Sequence, residues 1–175
     1  MTVHIRLATY DDVPMLADIE RAAGLLFLDI AMPDIAYDEP LPESILQGGV
    51  DSGLLWVAVE DGAYSVPVAY LLAEVLDAGI HIEQVTVHPD YARQRIGSRL
   101  IDTCETWAAE RGYQWVTLTT FRDVAWNAPW YRRIGFTRIP DDEMTDALRA
   151  LVARERVSGL DRWPRLVMRR AIGRQ

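Results

Sequence analysis

The sequence predicts a mixed α/β fold, a mostly antiparallel sheet flanked by helices, and three observations predict it. Runs rich in Val, Ile, Thr and Trp, bounded by Gly, Pro and Asp, recur along the chain and read as strands, about seven in all. Between some of them apolar residues repeat at helical spacing. The connections among the three central strands are too short to hold a helix, so those strands form a meander. With 175 residues, half of them hydrophobic, the chain suits one domain, residues 1–175, with a sizeable core.

Residues 3–7, Val-His-Ile-Arg-Leu, read as the first strand. A helix follows, with Thr9 or Asp11 as cap, Pro14 in its first turn and Met15, Leu16 and Ile19 as its buried stripe. Residues 22–32 are apolar but too short to span a bilayer, and Gly24 and Asp29 interrupt them. A Pro-rich connection with a short helical piece at 43–47 leads into strands at 54–59 and 66–76, joined through Asp61-Gly62. Asp77-Ala78-Gly79 turns into a β-branched strand at 80–87.

Pro89, which lacks an N–H, stops that strand, and a helix opens near Gly97 with Leu100, Ile101, Cys104, Trp107 and Ala108 on its apolar face and Gly112 as its stop. This helix crosses to a strand at 115–120, parallel to strand 80–87. A short helix ends at Gly135, and the chain returns as a strand. A helix over 141–158, with Met144, Leu148, Leu151 and Val152 inward, precedes the last strand at 163–171.

The stretch from His88 to Leu100 concentrates the functional signal. A turn that opens a helix offers free backbone N–H groups and the positive end of the helix dipole, which together hold a pyrophosphate. Arg93, Arg95 and Arg99 gather there against Asp90 alone, in a chain of net charge -8. A local basic patch in an acidic protein suggests a polyanionic ligand. A solvated arginine face on a packing helix is the bland alternative.

The acidic balance argues against duplex nucleic acid as a partner. One cysteine excludes a disulfide framework and a cysteine-rich zinc site, which points to a reducing, cytoplasmic setting. Cys104 lies on an apolar helical face and reads as a small buried thiol. No signal peptide or membrane segment is expected, and His4 and His88 have no metal-ligand spacing.

HPDYARQRIG resembles motif A of the GCN5-related N-acetyltransferases, the pattern Gln/Arg-x-x-Gly-x-Gly/Ala after a strand. The six positions are Ala92, Arg93, Gln94, Arg95, Ile96 and Gly97, and two depart from the pattern: Ala92 replaces Gln or Arg, and Arg95 replaces the first Gly. Tyr131-Arg132-Arg133-Ile134-Gly135-Phe136 resembles the family's Tyr-x-x-x-Gly-Phe signature. A third departure is Val124, where Asn is common; Asn127 stands four places before the Tyr instead. The resemblance runs from about Val3 to Arg170, essentially the whole chain.

The resemblance implies an acetyl-coenzyme A site made by the motif turn through Ser98, by Val85, Thr86 and Val87 with the Val85 and Val87 N–H groups as oxyanion donors, and by Asn127 toward the pantetheine. It implies direct transfer of an acetyl group to the primary amine of a small molecule or a peptide, without a metal. Tyr131 corresponds to the general acid. For the base, alternation puts His81, Glu83, Val85 and Val87 on one face of their strand, leaving Glu83 and His81 as candidates, Glu83 preferred. Two other readings stay open: a coenzyme A-binding sensor or interaction module with little or no transfer, and a structural domain that dimerises through an edge strand. A second copy of the chain is the remaining candidate partner.

Overall fold

The computed structural model describes residues 2–62, 65–157 and 159–173. Seven strands form one mixed sheet in the order β1-β2-β3-β4-β5-β7-β6. The chain divides into two compact units, Met1–Ala73 with Gln84–Cys104 and Glu74–Glu83 with Glu105–Gln175.

In the first unit, β1 (Val3–Leu7) pairs antiparallel with β2 (Leu55–Glu60), and β2 with β3 (Pro67–Leu76), so that Val57 faces Tyr70. Helix α1 (Val13–Gly24) buries Val13, Leu16 and Ile19 against Leu55, Val57, Tyr70 and Leu72. Its cap is Asp12, not Thr9 or Asp11. The Asp12 carboxylate accepts from the Thr9 N–H at 2.7 Å and pairs with both Arg6 Nη atoms at 2.7 and 2.8 Å, which fixes the first strand to the start of the helix. Burial alone would raise the Asp12 pKa; the Arg6 and Thr9 hydrogen bonds together outweigh it and hold the carboxyl below its usual range.

After α1 comes a 3-10 turn, Leu25–Ile30, then α2 (Pro33–Ala36) and α3 (Glu43–Ser52). The predicted helical piece at 43–47 thus continues to Ser52, because Leu46 and Gly49 sit one turn apart on its buried face. Beyond β4 (Gly79–Val87), a three-residue 3-10 turn, Pro89–Tyr91, and a short loop lead into α4 (Ile96–Glu110).

In the second unit, β4 pairs parallel with β5 (Trp115–Phe121), as the crossover predicts, with His81 opposite Thr117. A Cβ on Gly79 would lie 2.7 Å from the Trp115 carbonyl oxygen, so only glycine lets these strands start that close. β5 pairs antiparallel with β7 (Arg165–Ala171), and β6 (Thr137–Arg138) lines β7's other side. The helix expected over 141–158 is broken. Asp141–Glu143 make a 3-10 turn, and Thr145 Oγ1 accepts from the Leu148 N–H at 3.2 Å, capping α6 (Asp146–Val157). Leu148 packs with Ile139 and Val167, and Leu76, Met144 and Val152 surround that cluster. Among the described residues no helix is long and apolar enough to cross a membrane.

Candidate active site

The motif turn lies in the first unit. Its start is pinned at four points. The His88 N–H donates to the Val68 carbonyl at 2.9 Å, and the His88 ring accepts from the Asp90 N–H at 3.3 Å. The Tyr91 N–H returns to the His88 carbonyl at 2.9 Å, and its hydroxyl donates to Glu60 Oε2 at 2.7 Å. Beyond Tyr91 the side chains of Ala92, Arg93, Gln94 and Arg95 are all exposed, and Ile96 turns inward at 2 % exposure.

Arg93 and Arg95 both adopt left-handed backbone, φ 62° and 59°. Each costs roughly 1–2 kcal/mol relative to a right-handed residue, which is why glycine is ordinary at such places. The departure from the motif glycine at Arg95 is therefore held under strain. Ser98 Oγ donates to the Arg95 carbonyl at 2.9 Å and the Arg99 N–H bonds it at 3.1 Å, closing the first turn of α4. Arg93, Arg95 and Arg99 are all exposed, and Arg99 Nη2 donates to the Val3 carbonyl at 2.8 Å.

Upstream, Val85 and Val87 are half-buried. Thr86 is buried, and its hydroxyl accepts from Gln84 Nε2 at 2.7 Å. Both face the hydroxyl of the fully buried Tyr70, which in turn donates to Glu20 of α1. Burial, the largest influence, pushes the Glu20 carboxyl up, and burial together with the Glu20 charge pushes the Tyr70 phenol far up. No local pattern points to this chain of polar groups, because Glu20 follows a buried stripe and Tyr70 sits in an otherwise apolar strand.

In the second unit, His81 is 2 % exposed, with Nδ1 3.0 Å from Thr117 Oγ1. Burial, Arg154 and Arg165 bring its pKa down to about 4, so the imidazole is neutral at ordinary pH. On the same face, Thr119 donates to Glu155, and Arg165 Nη2 reaches Thr119 Oγ1 at 2.9 Å and Glu155 Oε1 at 3.2 Å. Glu83 keeps access to solvent; partial burial first, then the Glu74 charge, raise its pKa, and Arg154 opposes them.

Asn127 stands at the N-terminus of α5 (Ala128–Arg133), where its carbonyl accepts from Trp130 and Tyr131 at 2.8 and 2.9 Å. Its side chain makes no capping bond. Val124 is buried. Tyr131 is 9 % exposed, edge-on to Trp130 and Phe136 at 4.9 and 5.6 Å between ring centres. Among the described residues its hydroxyl has no hydrogen-bond partner, and burial raises its pKa, keeping the phenol protonated. Gly135, φ 96°, makes the return, with Arg170 bonding the Ile134 carbonyl at 3.0 Å and lying over the Phe136 ring.

A strand that ends in a pinned turn is followed by an exposed arginine-bearing loop and a helix, within a mixed seven-stranded sheet. The model of the acetyltransferase (GNAT) family matches residues 24–136, and the chain belongs to that family. Its fold is that of the PaiA N-acetyltransferase from Thermoplasma acidophilum, solved with coenzyme A, at 14% identity and TM-score 0.70 over 98% of this chain and 99% of that one. It is likewise similar to Rv2747 from Mycobacterium tuberculosis, solved with coenzyme A, at 21% identity and TM-score 0.68 over 97% and 99%. A ribosomal-protein alanine N-acetyltransferase from Escherichia coli superposes at 16% identity and TM-score 0.68, over 98% and 95%.

Proposed function

We propose that the chain acts as one acetyl-coenzyme A-dependent N-acetyltransferase domain, transferring acetyl directly to a primary amine. The observation that carries this is the motif turn, where two left-handed arginines stand exposed at the opening of α4. Strain of this kind persists where function uses it. Guanidinium groups at the two positions supply charge-assisted hydrogen bonds to phosphate oxygens that glycine would not. The residues fit a pyrophosphate: backbone donors at a helix start, two arginines, and no carboxylate between Tyr91 and Gly97.

The coenzyme supplies an activated acetyl group as a thioester. Glu83 is favoured as the base over His81. The His81 imidazole is buried, bonded to Thr117 and too weakly basic, whereas Glu83 faces solvent with a carboxyl raised toward the working range. It takes the proton from the acceptor ammonium, directly or through a water. The amine nitrogen then bonds to the acetyl carbon, and the carbon–sulfur bond breaks. Tyr131 hands its phenolic proton to the departing sulfur, a role that its apolar surroundings favour by keeping it protonated.

All 18 Lys and Arg positions of this chain are arginine. The chain therefore offers no lysine to acetylate, and thiol release above the hydrolysis background and beyond one equivalent per chain, the share of its own N-terminal amine, must come from an added amine. A panel of amino acids, polyamines and peptides tests the proposal by thiol detection. Amine-dependent release supports it. Binding of acetyl-coenzyme A with no release for any amine would favour the sensor reading, which Arg95 in place of glycine motivates.

A further inference from the structure

The 3-10 turn Leu25–Ile30 buries none of its six residues. Leu25 is 51% exposed, and Leu26, Leu28 and Ile30 are each 39% exposed. Because side chains three apart eclipse in a 3-10 turn, Leu25 and Leu28 stand on one edge. Tyr37 and Ile45 further along the same segment are exposed at 69% and 46%. Isolated exposed leucines are ordinary, but a whole turn of them marks a contact surface.

The charge along this segment is predominantly negative, and Arg21 just before it is paired with Asp18. From residue 22 to residue 73 there are eight carboxylates and no Arg, Lys or His. Asp29, Asp34, Asp38, Glu39 and Glu43 are exposed among the apolar residues just named.

Glu20, at the end of α1, adds a further mark. Buried Asp12 and half-buried Glu105 and Glu155 are each matched by an arginine: Arg6, Arg170 and Arg165. Among the described residues Glu20, like Glu60, is bonded by donors other than arginine: the Tyr70 hydroxyl, and the Leu41 N–H at 3.3 Å to both of its oxygens. Arg21 next to it pairs with Asp18 instead, at 3.0 Å.

We infer that this surface docks a basic, amphipathic peptide segment, one that alternates Arg or Lys with apolar side chains, on the protein that brings the acceptor amine. The link to the acceptor rests on the acetyltransferase reading; the docking itself does not. Apolar side chains of the peptide cover Leu25 and Leu28, its cations meet the surrounding carboxylates, and one of them completes the charge balance of Glu20. A second copy of the chain fits poorly, because a two-fold contact would bring the same acidic surface against itself. Nucleic acids and anionic membranes are repelled for the same reason.

The test uses a fluorescein-labelled peptide of alternating Lys and Leu, with its N-terminus blocked and the lysines trimethylated so that it binds but accepts no acetyl group. Anisotropy titrations compare it with a Glu-Leu peptide of equal length. The expected result is micromolar affinity for the basic peptide, at least about tenfold above the acidic one and falling with salt. A Leu25→Ser/Leu28→Ser double variant should lose about tenfold with its thermal shift by acetyl-coenzyme A unchanged, and Glu20→Gln should lose several-fold. Equal affinity for the two peptides, or undiminished binding by the leucine variant, would overturn the proposal. So would a dimer of the chain that the leucine variant abolishes. Peptide binding without any acetyl-coenzyme A binding would sink the acetyltransferase reading and leave the docking surface standing.

Discussion

Arg93 and Arg95 share one backbone anomaly: two residues apart, both are left-handed, at φ 62° and 59°. Arg95→Gly relaxes one strained position and removes one guanidinium, so its two effects have opposite sign. The unliganded protein should become more stable by up to about 1 kcal/mol, or roughly 2–4 °C in Tm. Affinity for acetyl-coenzyme A should fall roughly ten- to a hundredfold. Calorimetric titration beside thermal unfolding reads both. A stabilised variant that also binds more tightly would show that Arg95 does not grip phosphate.

His81 makes stability depend on pH. Its pKa in the fold, about 4, lies below the ordinary histidine value, so the unfolded chain takes up this proton first as pH falls. The stability His81 contributes is complete above pH ~6.5 and is lost down to pH ~4, by about 2–3 kcal/mol. Glu20 and Glu83 act oppositely, because their carboxyls are raised by burial and gain protons in the fold first. His81→Gln keeps a partner for Thr117 and should flatten the acid limb of a denaturation-versus-pH curve. An unchanged limb would mean that His81 is not buried neutral.

Tyr131→Phe keeps the ring that packs on Trp130 and Phe136 and deletes a hydroxyl without a protein partner among the described residues. Stability should therefore stay within about 0.5 kcal/mol. If the phenol is the acid, kcat should drop about a hundredfold or more with acetyl-coenzyme A affinity nearly intact. Unchanged turnover at saturation removes Tyr131 from the chemistry.

Glu83→Gln addresses the base. The raised Glu83 carboxyl should place the acidic limb of the kcat/KM profile above the ordinary glutamate range. The variant should lose that limb together with about a hundredfold of the rate. A limb that survives in Glu83→Gln and vanishes in His81→Gln would reverse the assignment.

The sequence carried the sheet well, because its signals are local. β-branched runs, the Pro89 stop and the Gly79 turn each depend on a few neighbouring residues, and the parallel pairing of β4 with β5 follows from the crossover between them. Boundaries failed where a side chain chose among competing backbone partners. Asp12 takes the N-cap position in place of Thr9 and Asp11, but its carboxylate is spent on Arg6 and Thr9 and caps no helical N–H. Thr145 broke the expected helix at 141–158.

The site was legible as two motifs and illegible as a set of distances. Arg95 was visible as a basic departure and Arg93 as a second charge beside it, while their left-handed backbone is a property of the folded turn. The two base candidates looked equivalent by alternation. Thr117, Arg154 and Arg165, which separate them, come from β5, α6 and β7. Glu20 and Tyr70 lie 50 residues apart, beyond any local pattern.

The most direct measurement is a thermal unfolding scan with and without acetyl-coenzyme A, using adenosine diphosphate as control. At about a hundred times its Kd, a ligand bound only by the native state adds roughly 2.7 kcal/mol, a rise of roughly 5–11 °C at this size. The account predicts that rise for the coenzyme, a smaller one for the diphosphate, and attenuation of both in Arg95→Gly. No rise at millimolar acetyl-coenzyme A would contradict it.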